Sequence, residues 1–136
     1  MIYLHNLGRR EGIIDDLLFT DGEMRPIPEA NHFLRYMRMG GGGLAARSWR
    51  KYAQDVADCY RFFEAINVSV CDASSVHIQH YFYHMEHSRG NVATTINGRV
   101  QSITCFFRFL ADHEYILRLP FRERVYRAGT RDMFNG

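Results

Sequence analysis

Two short stretches of this chain gather side chains that bind phosphate oxygens or the edges of bases. Arg47, Ser48, Arg50 and Lys51 lie in the first, and Thr94, Asn97, Arg99 and Gln101 in the second. Arg and Lys neutralise phosphate charge, while Arg, Asn and Gln also offer paired hydrogen-bonding groups that match guanine or adenine in a major groove. Each residue has a plainer use as well. Ser48 and Thr94 suit helix caps, Arg50 and Lys51 suit a solvated surface, and Asn97 can bond to nearby backbone.

The elements that must position these residues are two helices with the same skeleton. Tyr52, Val56, Cys59, Phe63 and Ile66 step by four, three, four and three, and so do Ile96, Val100, Ile103, Phe107 and Leu110. That spacing holds apolar side chains on one helical face, so both helices are expected to pack inward on a shared core. The polar groups sit at the start of each helix, away from the stripe. Unsatisfied N–H groups and partial positive charge at a helix N-terminus favour phosphate at that end.

Other candidate chemistry is weaker. His77, His80, His84 and His87 step along one face of a third helix, and a pair four apart can hold Zn²⁺ or Ni²⁺ if further ligands exist. No acidic or Cys partner is evident, so a polar outer face opposite Ile78, Phe82 and Met85 is expected, with no metal and no cofactor. Gly40 to Gly43 lack a preceding strand and a following Gly-Lys-Ser/Thr, which makes them a flexible joint and not a phosphate loop. Trp49 and the pairs Phe62-Phe63 and Phe106-Phe107 resemble base-stacking aromatics, yet their spacing favours core packing.

The chain has 136 residues, 46% hydrophobic and 24% charged, with ten Phe and eight Tyr, which suits one globular domain with an aromatic core. Net charge is only +2 and selects no partner class, but every basic residue except Lys51 is Arg, whose planar fork suits phosphate and guanine. Cys59, Cys71 and Cys105 are odd in number without paired spacing, as expected of reduced thiols. The N-terminus lacks an apolar signal core and no run reaches membrane-spanning length, so a cytoplasmic, nucleoid-associated protein is expected.

Along the chain, residues 1–27 read as a loose arm with at most a small hairpin, in which Asp21-Gly22 turns between Ile13–Phe19 and a run cut short by Pro26 and Pro28. Pro28 suits the first turn of a helix to about Met39, with Phe33, Leu34 and Met37 inward. The second helix spans about Ala46 to Ile66. Ser74-Ser75 caps a third to about His87, and Ser88-Arg89-Gly90-Asn91 breaks the chain before a fourth from about Thr94 to His113. Residues 28–115 therefore form an all-α bundle, and 116–136, with Pro120 and a basic run, read as a linker or tail.

From Pro28 to Phe121 this pattern resembles the N-terminal core-binding, or SAM-like, domain of tyrosine recombinases of the phage-integrase type. The resemblance rests on Ser48, Tyr52, Asp55-Val56 and Arg61-Phe62-Phe63 in the second helix. In the fourth it rests on Thr95-Ile96-Asn97 and Phe106-Phe107-Arg108-Phe109-Leu110. Gly98-Arg99 and the four glycines depart from the family pattern, and Leu119-Pro120 keeps only the proline of a closing Asn-Pro.

The resemblance implies a SAM-like orthogonal bundle of four to five helices with a short irregular or hairpin arm at its N-terminus. It implies that the second and fourth helices grip duplex recombination-site DNA, which adds Thr95 to the contact set. It also implies contacts with other recombinase protomers in a synaptic complex. The family's catalytic Arg, Lys, His and Tyr belong to a second domain that the remaining residues cannot hold, and Tyr126 lacks the arginines that would activate it. The expectation is a chain that binds DNA and is not itself an enzyme. A stand-alone helical accessory factor that binds DNA and a helical protein-interaction module are the alternatives, and the small net charge favours the last.

Overall fold

The computed structural model describes residues 2–6, 17–39, 46–88 and 90–121. The chain is mostly helical. Helices α1 (Pro28–Arg38), α2 (Ala46–Ala65), α3 (Ser75–Tyr83) and α4 (Ala93–Asp112) are joined by a 3-10 turn at Val70–Asp72 and a π-helical turn at His84–Ser88. Strands β1 (Tyr3–Asn6) and β2 (Leu17–Thr20) make one small sheet. The glycine joint at 40–43 and the tail with Tyr126 lie outside the described residues. Two compact units divide the chain, residues 1–61 and 62–136, with the boundary inside α2.

In the first unit the described residues of the N-terminal arm include packed ones. Ile2, Phe19 and Thr20 are buried, and β1 pairs antiparallel with β2 in the register Tyr3 to Thr20 through Asn6 to Leu17. The expected hairpin between β2 and Met24–Ile27 is reduced to a single bridge, Thr20 to Pro26, because proline brings no N–H to a ladder. The Asp-Gly turn does form. Asp21 Oδ1 accepts the N–H groups of Glu23 at 2.8 Å and Arg25 at 3.0 Å, and the Arg25 Nε–H donates to Oδ2 at 2.9 Å.

Helix α1 opens with Pro28 in its first turn, with Glu29 near its N-terminus and Arg35 and Arg38 in its last turn, the order that complements the helix dipole. It buries Ala30, Asn31, Phe33, Leu34 and Met37. The Asn31 side chain clamps the end of β2, accepting the Phe19 N–H at 2.7 Å and donating to the Phe19 carbonyl at 2.9 Å, which also accepts the Ile27 N–H at 3.1 Å. Tyr60 of α2 donates its hydroxyl to Glu29 at 2.7 Å and lies 6.4 Å from the Phe19 ring. In α2, Val56, Cys59 and Phe63 of the expected stripe are buried and Tyr52 is half-buried, with Trp49, Ala53 and Ala57 widening the apolar arc.

In the second unit every stripe residue of α4 is buried, together with Phe106 and Phe109. Burying one such side chain stabilises the fold by about 1.5–3 kcal/mol. Ser102 is also fully buried, and its hydroxyl is satisfied by donating to the Gly98 carbonyl at 3.1 Å. Phe62 packs 5.0 Å from Tyr81, and Phe121 closes edge-on against Phe107 at 6.0 Å, so the chain beyond Tyr115 still belongs to the packed unit as far as Phe121.

Helices α2 and α4 end in the same way. After α2, Val68 N–H bonds to the Phe63 carbonyl and Asn67 N–H to Glu64; after α4, Tyr115 N–H bonds to Leu110 and Glu114 N–H to Ala111. This Schellman closure needs a left-handed residue, supplied by Asn67 at φ 57° and Glu114 at φ 64°. Asn tolerates that conformation. Glu adopts it at a cost of about 1 kcal/mol, because its Cβ crowds the following carbonyl.

Candidate nucleic-acid interface

The first seven residues of α2 place Arg47, Ser48, Arg50 and Lys51 in the opening turns of a helix, as the spacing predicts. The side chains of Arg47 and Ser48 lie outside the described residues. Arg50 is exposed. Lys51 differs from a simple solvated cation, because its ammonium lies 2.6 Å from Asp55 Oδ2 one turn on. The Asp55 side chain is only 9% exposed against 53% for Lys51, so the carboxylate, drawn inward by the packed face, requires a cation and takes this one.

The order of charge along α2 runs against helix stability. Three cations and no acid occupy its first six residues, whereas Asp55, Asp58 and Glu64 lie further on, with Arg61 among them. The helix dipole disfavours cations at the N-terminus by about 0.3–1 kcal/mol each. An anion bound at a helix N-terminus offsets such a cost by neutralising cationic side chains and bonding the free N–H groups of the first turn.

In the second unit, α4 starts at Ala93 with Val92 in the cap position and no side-chain cap bond. Thr94 is therefore not the cap; it stands in the first turn, exposed beside the exposed Thr95. Asn97 is half-buried, and its Oδ1 is inaccessible and without a hydrogen-bond partner. Gln101, one turn further, is exposed. Arg99 is half-buried and donates from Nη1 to the Met85 sulfur at 3.4 Å, so its guanidinium is drawn toward the π-helical turn. Asn91 N–H closes that turn by bonding to the Met85 carbonyl at 3.1 Å, next to Gly90 at φ 66°.

The histidines form no single stripe. His77 Nδ1 accepts the Ser74 N–H at 3.0 Å, capping α3. The rings of His80 and His84 lie 5.3 and 5.5 Å from that of Phe62, so this face covers an aromatic side chain and is not purely solvent-facing. A π-helical turn takes one more residue than an α-turn, which swings His87 off the row and onto Tyr83 at 4.2 Å. Among the described residues no three His, Cys, Asp or Glu side chains are placed to hold a metal ion.

Trp49, Phe62, Phe63, Phe106 and Phe107 are all buried, which removes them as base-stacking platforms. Burial also pushes the Cys59 thiol far up from its ordinary pKa and raises that of Cys105, leaving both thiols protonated at neutral pH. Among the described residues no helix is long and apolar enough to cross a membrane. Sequence spacing alone missed the Asp55 and Met85 partners. The four-residue step from Lys51 to Asp55 was a signal for the first, and nothing local announces the second. No protein-family model, characterised protein or solved structure that was compared with the chain matches it.

Proposed function

We propose that this chain is a duplex-DNA-binding domain of the SAM-like, core-binding type, which in a tyrosine recombinase grips recombination-site DNA and places a separate catalytic domain. The N-terminal halves of α2 and α4 each supply contacts to the duplex. The observation that carries this reading is the charge order of α2, in which Arg47, Arg50 and Lys51 crowd the end where the helix dipole opposes them. Phosphate is the anion that rewards this order, and the exposed Thr94, Thr95 and Gln101 offer neutral donors at the start of α4. In this reading the chain binds DNA without cutting it, works in a synaptic complex with other protomers, and resides at the nucleoid.

The test is selection of bound duplexes from a random library, followed by titration of the enriched site against salt. The expected result is an enriched sequence whose log–log salt slope is roughly −3 or steeper, from about −0.9 per phosphate contact. A flat salt response would reject duplex binding and favour a helical protein-interaction module, the reading that the +2 net charge and the Lys51–Asp55 ion pair support.

A further inference from the structure

At the C-terminal end of α4 the second unit carries a solvent-open hollow of about 380 Å³. Val70, Ala73, Phe107 and Ile116 give it an apolar lining, and Leu117 stands at its edge with its side chain wholly exposed. Three charges share the same lining, Asp72, Glu114 and Arg118, and no ion pair is formed by any of them among the described residues. A protruding leucine beside an apolar hollow, with both signs of charge around it, is complementary to itself.

We propose that this face joins two copies of the chain about a two-fold axis. Leu117 of each copy enters the hollow of the other, and Arg118 meets Asp72 or Glu114 of the second copy. An isologous contact needs knob, hole and opposite charges within one patch, and all three are present here. Charge complementarity favours a second copy over a foreign partner, because a surface shaped for a strongly acidic or basic protein would carry one sign.

Glu114 also closes α4. Its left-handed conformation, at φ 64°, is one where glycine or asparagine closes a helix at lower cost.

The test is sedimentation equilibrium of the full chain across a wide concentration range, with three exposed-site variants. The expected result is a monomer–dimer equilibrium that Leu117→Asp and Arg118→Glu each weaken roughly tenfold or more, with unchanged thermal midpoints. Glu114→Gly separates association from folding, and should raise the thermal midpoint by a few degrees while weakening the dimer. A chain that stays monomeric to its solubility limit would overturn the proposal. So would a dimer that Leu117→Asp and Arg118→Glu leave equally tight.

Discussion

The Asn31 side chain holds the backbone of Phe19 from both sides of one residue, accepting its N–H at 2.7 Å and donating to its carbonyl at 2.9 Å, in a position where Asn31 is only 5% exposed. The amide of α1 thus clamps the end of β2, satisfying the buried Phe19 N–H and sharing the Phe19 carbonyl with the N–H of Ile27 at 3.1 Å. Asn31→Ala should therefore destabilise the protein by about 1–3 kcal/mol, since the buried Phe19 N–H loses its acceptor while the Phe19 carbonyl keeps the Ile27 N–H. Urea denaturation of the variant checks this. A loss within about 0.5 kcal/mol would mean that water replaces the amide freely.

Lys51 is shared between the proposed interface and the fold. Removing the negative charge from its partner releases it, so Asp55→Asn should tighten duplex binding at low salt by about two- to fivefold, the range of a partly exposed ion pair. The salt slope should steepen by about 0.9 as one more cation becomes available to phosphate. Fluorescence anisotropy at several salt concentrations measures both, and an unchanged slope would place the Lys51 ammonium away from the DNA.

Asn97 separates stability from recognition. Its Oδ1 is buried without a partner, so Asn97→Ala removes an unsatisfied acceptor and should leave stability unchanged or raise it by about 1 kcal/mol. In duplex binding the same variant should relax preference at one or two base pairs while leaving the salt slope intact. Competition among single-base variants of the selected site, set beside a thermal melt, tests the two halves together. A large loss of stability would assign Asn97 a structural role.

Asp21 sets a pH dependence in the β2–α1 turn. Hydrogen bonds lower its pKa below the ordinary value of 3.8, the largest contribution being the backbone N–H of Arg25, followed among the favourable ones by that of Glu23 and by the Arg25 side chain. A carboxyl depressed on folding stabilises above its unfolded pKa, and that stabilisation is lost as pH falls through the lower folded value. The protein should therefore lose this contribution only below about pH 4, and Asp21→Ala should flatten the acid limb of the stability curve. Thermal midpoints between pH 2 and 6 show the difference. Parallel acid limbs in parent and variant would contradict it.

Much of the fold was legible along the chain because its signals are local. Pro28 starts α1, Ser74 starts α3, and the four-three stripes of α2 and α4 predict helices whose observed ends fall within about two residues. The hairpin was not legible in this way. β1 and β2 pair across ten intervening residues, whereas the local turn signal at Asp21-Gly22 pointed to the proline-limited run after it. The candidate interface was legible only as residue types in order. Thr94 as a cap, Lys51 as a solvated charge and a four-histidine row each follow from spacing, and each gave way to a contact or a backbone shift that spacing does not contain.

By itself the sequence determined the helical class, the breaks between helices, the buried stripes and the order of charges along α2, since these depend on residues within one or two turns of each other. Only the tertiary structure decided which polar groups remain for a partner. Burial of Asp55 engages Lys51, Met85 draws in Arg99, Phe19 occupies Asn31, and the π-helical turn breaks the histidine row. The physical reason is that desolvation is a property of packed neighbours. A buried carboxylate or backbone group must find its partner wherever the fold brings one within reach.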